Sequence, residues 1–256
     1  MNDALPLGAP VQRRSALRRP LNWIWIAIIC ASAYGITLFD WHVVWASRWL
    51  LLHGIGVSWL LTLIGIGIGL PVGIVLAAGR LYGPPGIRHL AVGVIELVRA
   101  TPQLMIIFWI YFTYPAISGS ASPSAWGAAI LALSAIAAAY FAEIMRSGLQ
   151  SVPDVQMESA HATGLSLLQT FLHVVLPQAI RNMFPAFISM FVMIFKMTSF
   201  VYVIGLVDLF RATILINNRE YAPYTLYFFM GAVYVVSCFA LTSISRRFDR
   251  AGATKL

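Results

Sequence analysis

Long apolar blocks separated by short polar segments run along almost the whole chain. Six blocks have about 19 residues or more, enough for a helix to cross a bilayer; they are residues 21–39, 50–79, 90–114, 125–144, 179–197 and 224–244. Within each block the apolar residues are continuous and do not alternate with polar ones, so the pattern favours helices over the strands of a membrane barrel. It predicts an all-α membrane protein with six transmembrane helices.

Composition supports this prediction, and charge adds an orientation. Hydrophobic residues make up 60% of the 256 positions and charged residues 10%, whereas a soluble domain averages about 45–50% and about 25%. The net charge of +8 would suit a nucleic-acid partner, but eight of the 17 basic residues lie in the terminal segments: Arg13, Arg14, Arg18, Arg19, Arg246, Arg247, Arg250 and Lys255. Basic flanks of spanning helices stay in the cytoplasm. We therefore expect cytoplasmic tails at 1–20 and 246–256, a transmembrane domain at 21–245, and no nucleic-acid partner.

The first block allows two interpretations. Residues 31–33, Ala-Ser-Ala, resemble the cleavage site of a secretory signal. The apolar run continues to Phe39, however, which favours an uncleaved spanning helix. The three tryptophans in residues 40–49 then favour a segment at the membrane–water boundary.

Small residues recur at helical spacing in the second block. Gly65, Gly69 and Gly73 are four residues apart, so they form one smooth stripe on a helix that lets another helix approach closely. Pro71 lies within the same block and is expected to kink the helix.

A polar segment at 147–177 separates the fourth and fifth blocks. Ser151 and Pro153 suit the start of a helix, and Asp154 complements the dipole at that end. Gly164 can end the helix in the left-handed conformation. An ordinary inner loop is the alternative, but loops in compact bundles are usually shorter. The segment therefore predicts a docking surface for a soluble partner.

The same segment carries a motif with fixed spacing. It resembles the motif Glu-Ala-Ala, three residues, Gly, nine residues, Ile, one residue, Leu-Pro, which is typical of the inner-membrane permease subunits of ATP-driven, binding-protein-dependent importers. Serine replaces the first alanine and valine replaces isoleucine. The matching residues are Glu158, Ser159, Ala160, Gly164, Val174, Leu176 and Pro177.

The resemblance covers about residues 50–245 and extends to the polar amino acid branch of these permeases. It includes Glu-Leu-Val-Arg-Ala-Thr-Pro at 96–102, and residues 199–211 are most similar to glutamate/aspartate permeases. It implies the transmembrane fold of type I ABC importers, with cytoplasmic coupling helices that insert into the ATPase. Four partners are implied: a dimer of ATP-binding subunits, a second permease that is identical or homologous, a periplasmic binding protein, and membrane lipid. The location implied is the bacterial inner membrane, with ATP and Mg bound by the ATPase.

Four polar residues are candidates for the substrate pathway: Lys196, Thr198, Ser199 and Arg99. An ionisable group within a membrane normally faces a partner or an aqueous cavity. In the family Thr-Ser commonly follows Lys-Asp, but here Met197 replaces the acid, which leaves Lys196 available for a substrate carboxylate. The alternatives are that Lys196 reaches to the membrane boundary and that the hydroxyls bond helix carbonyls.

Three carboxylate–arginine pairs, including Asp208 with Arg211, are three residues apart, so each pair shares a helix face. Glu96 with Arg99, and Glu143 with Arg146, are expected to be structural pairs near the inner boundary. Coupling of the docking surface to the pathway is the alternative role.

No motif in the chain predicts catalysis. The only lysines, Lys196 and Lys255, are not in a phosphate-binding loop, and no hydrolase motif or cluster of metal ligands occurs. We therefore expect no catalytic residue, metal or cofactor in this chain, and a transport subunit rather than an enzyme. The alternatives are an ion-coupled secondary transporter, a membrane scaffold, or a permease for glutamine, arginine or histidine.

Overall fold

The computed structural model describes Thr37 and residues 39–253, with side chains described up to residue 243. All regular secondary structure in the described residues is helical. Ten α-helices follow one another over residues 39–253: α1 Trp41–Ala46, α2 Arg48–Tyr82, α3 Pro85–Ala100, α4 Gln103–Ser118, α5 Ala125–Gln150, α6 Asp154–Ala162, α7 Leu167–Thr170, α8 Leu176–Met197, α9 Leu209–Glu220 and α10 Pro223–Ala253. A π-helical turn, Phe171–Val175, joins α7 to α8, and a 3₁₀ helix, Thr198–Ile204, follows α8.

Four helical segments in the described range are long and apolar enough to cross a membrane: Arg48–Tyr82, Ala125–Gln150, Leu167–Ile204 and Pro223–Ser243. The bent pair α3 and α4 makes a fifth if it is counted as one span. The basic tail at 1–20, the possible signal cleavage site and nearly all of the predicted first span lie outside the described residues. The count of six spans therefore stays a prediction.

The third apolar block is not one straight helix. The chain bends by 111° between α3 and α4. Pro102 follows the bend, and the residue before a proline is pushed out of the helical region; Thr101 accordingly has φ −86° and ψ 136°. The prediction of a single helix over 90–114 was wrong for this reason.

The predicted glycine stripe lies in the main helix contact of the fold. Gly65, Gly69 and Gly73 are buried on α2 and face α5. A Cβ atom on Gly69 would lie 2.9 Å from the carbonyl oxygen of Ser134 on α5, so only glycine permits this approach. The prediction of a close-packing stripe is confirmed. Helix α2 is continuous across Pro71.

Residues after the 3₁₀ helix fold back onto α2. Asp208 is completely buried and begins α9, where its carboxylate accepts hydrogen bonds from the backbone N–H of Arg211 at 2.9 Å and Phe210 at 3.2 Å. The backbone N–H of Leu209 donates to Ser58 on α2 at 3.3 Å. Asp208 therefore caps a helix. Its spacing from Arg211 suggests an ion pair, but the two side chains form none in the described structure.

Candidate functional site

The polar segment contains the predicted short helix, α6, with a defined end. The backbone N–H of Gly164 donates to His161 at 2.9 Å and that of Leu165 donates to Ala160 at 3.3 Å. These two bonds form a Schellman motif, which needs a left-handed residue. Gly164 has φ +84°, so the predicted role of this glycine is confirmed.

The start of α6 differs from the prediction. Helix α5 continues to Gln150, and the Ser151 hydroxyl donates to the carbonyl of Gly148 at 2.7 Å, at the end of α5. Ser151 therefore belongs to the preceding helix, and Pro153 stands immediately before α6. A second helix start was missed: Ser166 and Gln169 form a capping box at α7, a pattern that their spacing in the sequence already offered.

One side of α6 is anchored and the other is open. Ala160 is buried, and Met157 packs in a cluster with Val152, Val175 and Ala179 of the neighbouring segments. Glu158, Ser159 and Gly164 are exposed, as is Pro177, while Val174 and Leu176 are half-buried. Large apolar side chains are also exposed beside them: Val155, Leu167, Leu168 and Leu172. The segment thus presents a mixed apolar and polar surface on a rigid support.

Near the start of this segment, three arginines and two glutamates form what we call the five-charge cluster. Oε2 of Glu143 on α5 lies 2.9 Å from Arg80 and 3.2 Å from Arg99. Oε1 of Glu143 accepts from Nε of Arg146 at 3.0 Å. Glu96 lies 3.4 Å from Arg99 and 3.5 Å from Arg80. Both predicted pairs are present, and Arg80 of α2 joins them.

The other pathway candidates lie elsewhere. Lys196 is exposed on α8 and lines a groove of about 350 Å³ between α8 and α10. Thr198 is completely buried and donates to the carbonyl of Phe195 at 2.8 Å, and Ser199 donates to the carbonyl of Lys196 at 2.8 Å. The two hydroxyls therefore bond helix carbonyls in this structure, and Arg99 lies in a different site from Lys196.

The sequence and the fold both match known transport proteins. The family described as "Binding-protein-dependent transport system inner membrane component" matches residues 69–251. The chain belongs to this family. It is therefore a membrane permease subunit of an ABC importer, a component whose ATPase and substrate-binding protein are separate, and within the family it resembles the permeases for polar amino acids.

Two curated relatives show this resemblance. The glutamate/aspartate import permease protein GltK of Escherichia coli O6:H1 is 32% identical over 204 residues, which cover 77% of this chain and 91% of that protein. The glutamine transport system permease protein GlnP of Escherichia coli K12 is 29% identical over 212 residues, 83% of this chain and 97% of that protein.

A solved structure supports the fold. The structure of an amino acid ABC transporter with histidines superposes with a TM-score of 0.77 and 29% sequence identity, covering 83% of this chain and 98% of that one. The predicted type I importer fold is confirmed by this match. Membership of a binding-protein-dependent family also argues against a secondary transporter that works alone.

Proposed function

We propose that this permease imports polar amino acids, with glutamate and aspartate as its substrates, and works by alternating access driven by a separate ATPase. The observation that carries the proposal is the exposed face of α6, held on a buried anchor at Ala160 and ended by Gly164. A surface that transmits force from a partner has to be accessible on one side and fixed to the bundle on the other. The coupling residues form such a surface: Glu158, Ser159, Ala160, Gly164, Val174, Leu176 and Pro177.

In this proposal the permease lies in the bacterial inner membrane with both termini in the cytoplasm. Two permease subunits, identical or homologous, form the pathway, and two ATP-binding subunits dock beneath them with ATP and Mg. A periplasmic binding protein delivers the substrate from outside. When ATP closes the ATPase dimer, α6 moves with it and the bundle opens outward; hydrolysis resets the transporter.

Glutamate and aspartate are proposed on two grounds. Lys196 is a cation without a neighbouring acid at 197, so it favours a carboxylate substrate. The relative GltK is named for glutamate and aspartate import. A second permease, GlnP, is named for glutamine at nearly the same identity, so direct comparison of substrates is the decisive experiment.

Two experiments test the proposal. The ATPase should co-purify with the wild-type permease, and Glu158→Arg should weaken this binding at least about tenfold, because it reverses an exposed charge at the contact. The matched control is Arg88→Glu, which reverses a charge outside the coupling residues. In reconstituted complexes, labelled glutamate should be taken up in preference to glutamine and arginine. Equal binding by Glu158→Arg would refute the docking role, and preference for arginine would refute the substrate.

A further inference from the structure

A cavity of about 380 Å³ lies between α5 and α8, beside the five-charge cluster. We call it the Arg99 cavity. Its polar lining consists of Arg99, Tyr140, Glu143, Ser147, Ser151 and Asn182. The volume falls in the range of small-molecule sites, about 300–1,000 Å³.

The charge beside the cavity is not balanced. Arg80, Arg99 and Arg146 face only two carboxylates, those of Glu96 and Glu143. The five-charge cluster therefore has a net charge of +1. A partly buried charge without a counter-ion is costly, so the cavity favours an anion.

Arg99 has an unused edge for that anion. Both of its ion pairs, to Glu96 and to Glu143, use Nη1. Its Nε is buried and has no hydrogen-bond partner in the described structure. The Nε and Nη2 atoms form a planar fork that binds a carboxylate through two parallel hydrogen bonds. A carboxylate that displaces the side-chain atoms covering Nε would satisfy this buried N–H.

The surrounding side chains hold the fork in place and extend the site. The guanidinium carbon of Arg99 lies 5.9 Å from the centroid of the Tyr140 ring, close enough for a cation–π contact. The Tyr140 hydroxyl accepts from Gln103 at 3.3 Å, so its own proton can be donated to a ligand.

Helix α8 supplies an acceptor to the same cavity. Asn182 on α8 donates to the hydroxyl of Ser151 at 2.8 Å, and Ser151 donates to Gly148. This chain fixes the amide of Asn182, and its carbonyl oxygen can accept from an ammonium group. The lining thus offers donors for a carboxylate and acceptors for an ammonium group, among them the Glu143 carboxylate, as an amino acid requires.

We propose that the Arg99 cavity is a second binding station for the transported amino acid, with the carboxylate at Arg99 and the ammonium group at Asn182. The proposal rests on the proposed import function and adds a site separate from Lys196. Asn182 and Lys196 are 14 residues apart on α8, about 21 Å at 1.5 Å per residue. One amino acid cannot touch both, so the Arg99 cavity and Lys196 would bind it in succession.

Protection of a single cysteine tests this station. In the full complex in lipid nanodiscs, without ATP, Cys30 and Cys238 are replaced by serine, and Ser147→Cys places a thiol in the cavity lining. Glutamate at ten times its dissociation constant should slow modification of this thiol by a charged reagent about elevenfold, since occupancy excludes the reagent. Ser122→Cys, in the exposed segment after α4, is the matched control and should show no protection.

Two variants identify the ligating groups. Arg99→Gln should reduce protection to less than about twofold at the same concentration. Asn182→Leu is the second variant, because Asn182 is exposed and outside the five-charge cluster. It removes the carbonyl oxygen that accepts from the ammonium group and should also reduce protection to less than about twofold. Lys196→Gln should leave protection at Ser147→Cys unchanged.

The outcomes separate this inference from the import function. A complex that takes up glutamate but shows no protection at position 147 overturns the second station alone. Equal protection by inorganic phosphate also overturns it, because the site would then bind any anion. A complex that takes up no polar amino acid overturns both. Protection by glutamate that is lost in Arg99→Gln and Asn182→Leu supports the station.

Discussion

The contact between α2 and α5 makes a quantitative prediction about one methyl group. Gly69→Ala would place a Cβ atom 2.5 Å from the Cβ of Ala137 and 2.9 Å from the backbone oxygen of Ser134, whereas carbon atoms in contact are about 3.5–4.0 Å apart. Backbone cannot rotate away as a side chain does, so the two helices must separate. Overpacking of this kind costs about 1–3 kcal/mol, and at about 2–4 °C per kcal/mol the melting temperature should fall by roughly 2–12 °C.

The control lies two residues away on the same helix. A Cβ on Gly67 meets nothing within 4 Å, and alanine is a better helix former than glycine by about 0.8–1.0 kcal/mol. Gly67→Ala should therefore melt at the wild-type temperature or slightly above. The assay is thermal unfolding of the purified permease in one detergent, followed by tryptophan fluorescence. If Gly69→Ala melts as high as Gly67→Ala, the helices do not meet at Gly69 and the close-packing explanation is wrong.

Three further predictions concern charge and backbone. Burial raises the pKa of Asp208 from its ordinary value of 3.8 to about 6, against the backbone hydrogen bonds that lower it. The folded chain then holds the proton more tightly than the unfolded chain, so stability should rise by up to about 3 kcal/mol as the pH falls from about 6 to about 4. Asp208→Asn, which still caps α9, should remove this slope in melting curves. Glu143→Gln should lower the stability of the protein by about 1–3 kcal/mol in the same assay, because it leaves three arginines facing one carboxylate. Glu96→Gln should cost under about 1 kcal/mol, because the Glu96 side chain is 52% exposed. Equal losses in the two variants would contradict the central place of Glu143 in the cluster. Gly164→Val should cost about 1–2 kcal/mol at φ +84° and reduce ATP-driven uptake several-fold, while Gly164→Asn should be tolerated; equal uptake by both variants would argue against a coupling role for the α6 turn.

Periodic features of the fold could be predicted from the sequence. The spacing of Gly65, Gly69 and Gly73 identifies a helix face because a helix places residues four apart on one side. That spacing does not predict which helix packs against the face. The contact also depends on small residues of α5 such as Ala137, and their positions in the sequence do not predict that α5 packs on α2.

A local sequence pattern marks the break between α3 and α4, whereas local patterns predict only some contacts of the five-charge cluster. Because Pro102 follows it, Thr101 favours an extended conformation. The apolar residues on both sides nevertheless led to the prediction of a single helix over 90–114. The pairs three residues apart were predictable from helix geometry. The contact of Arg80 with Glu143 joins residues 63 positions apart, so only the packing of α2 on α5 creates it.

The polar segment at 147–177 and the Arg99 cavity are joined by one packed cluster of side chains. Val152 and Met157 from the start of the polar segment belong to the same packed cluster as Ala179 and Met183 of α8, and Met183 also lines the cavity. Coupling between sites is carried by contiguous packed side chains. A displacement of α6 would therefore reach the cavity wall through this cluster, within about three residues of Asn182. A substrate station at this position would be the part of the pathway most directly exposed to the ATPase cycle.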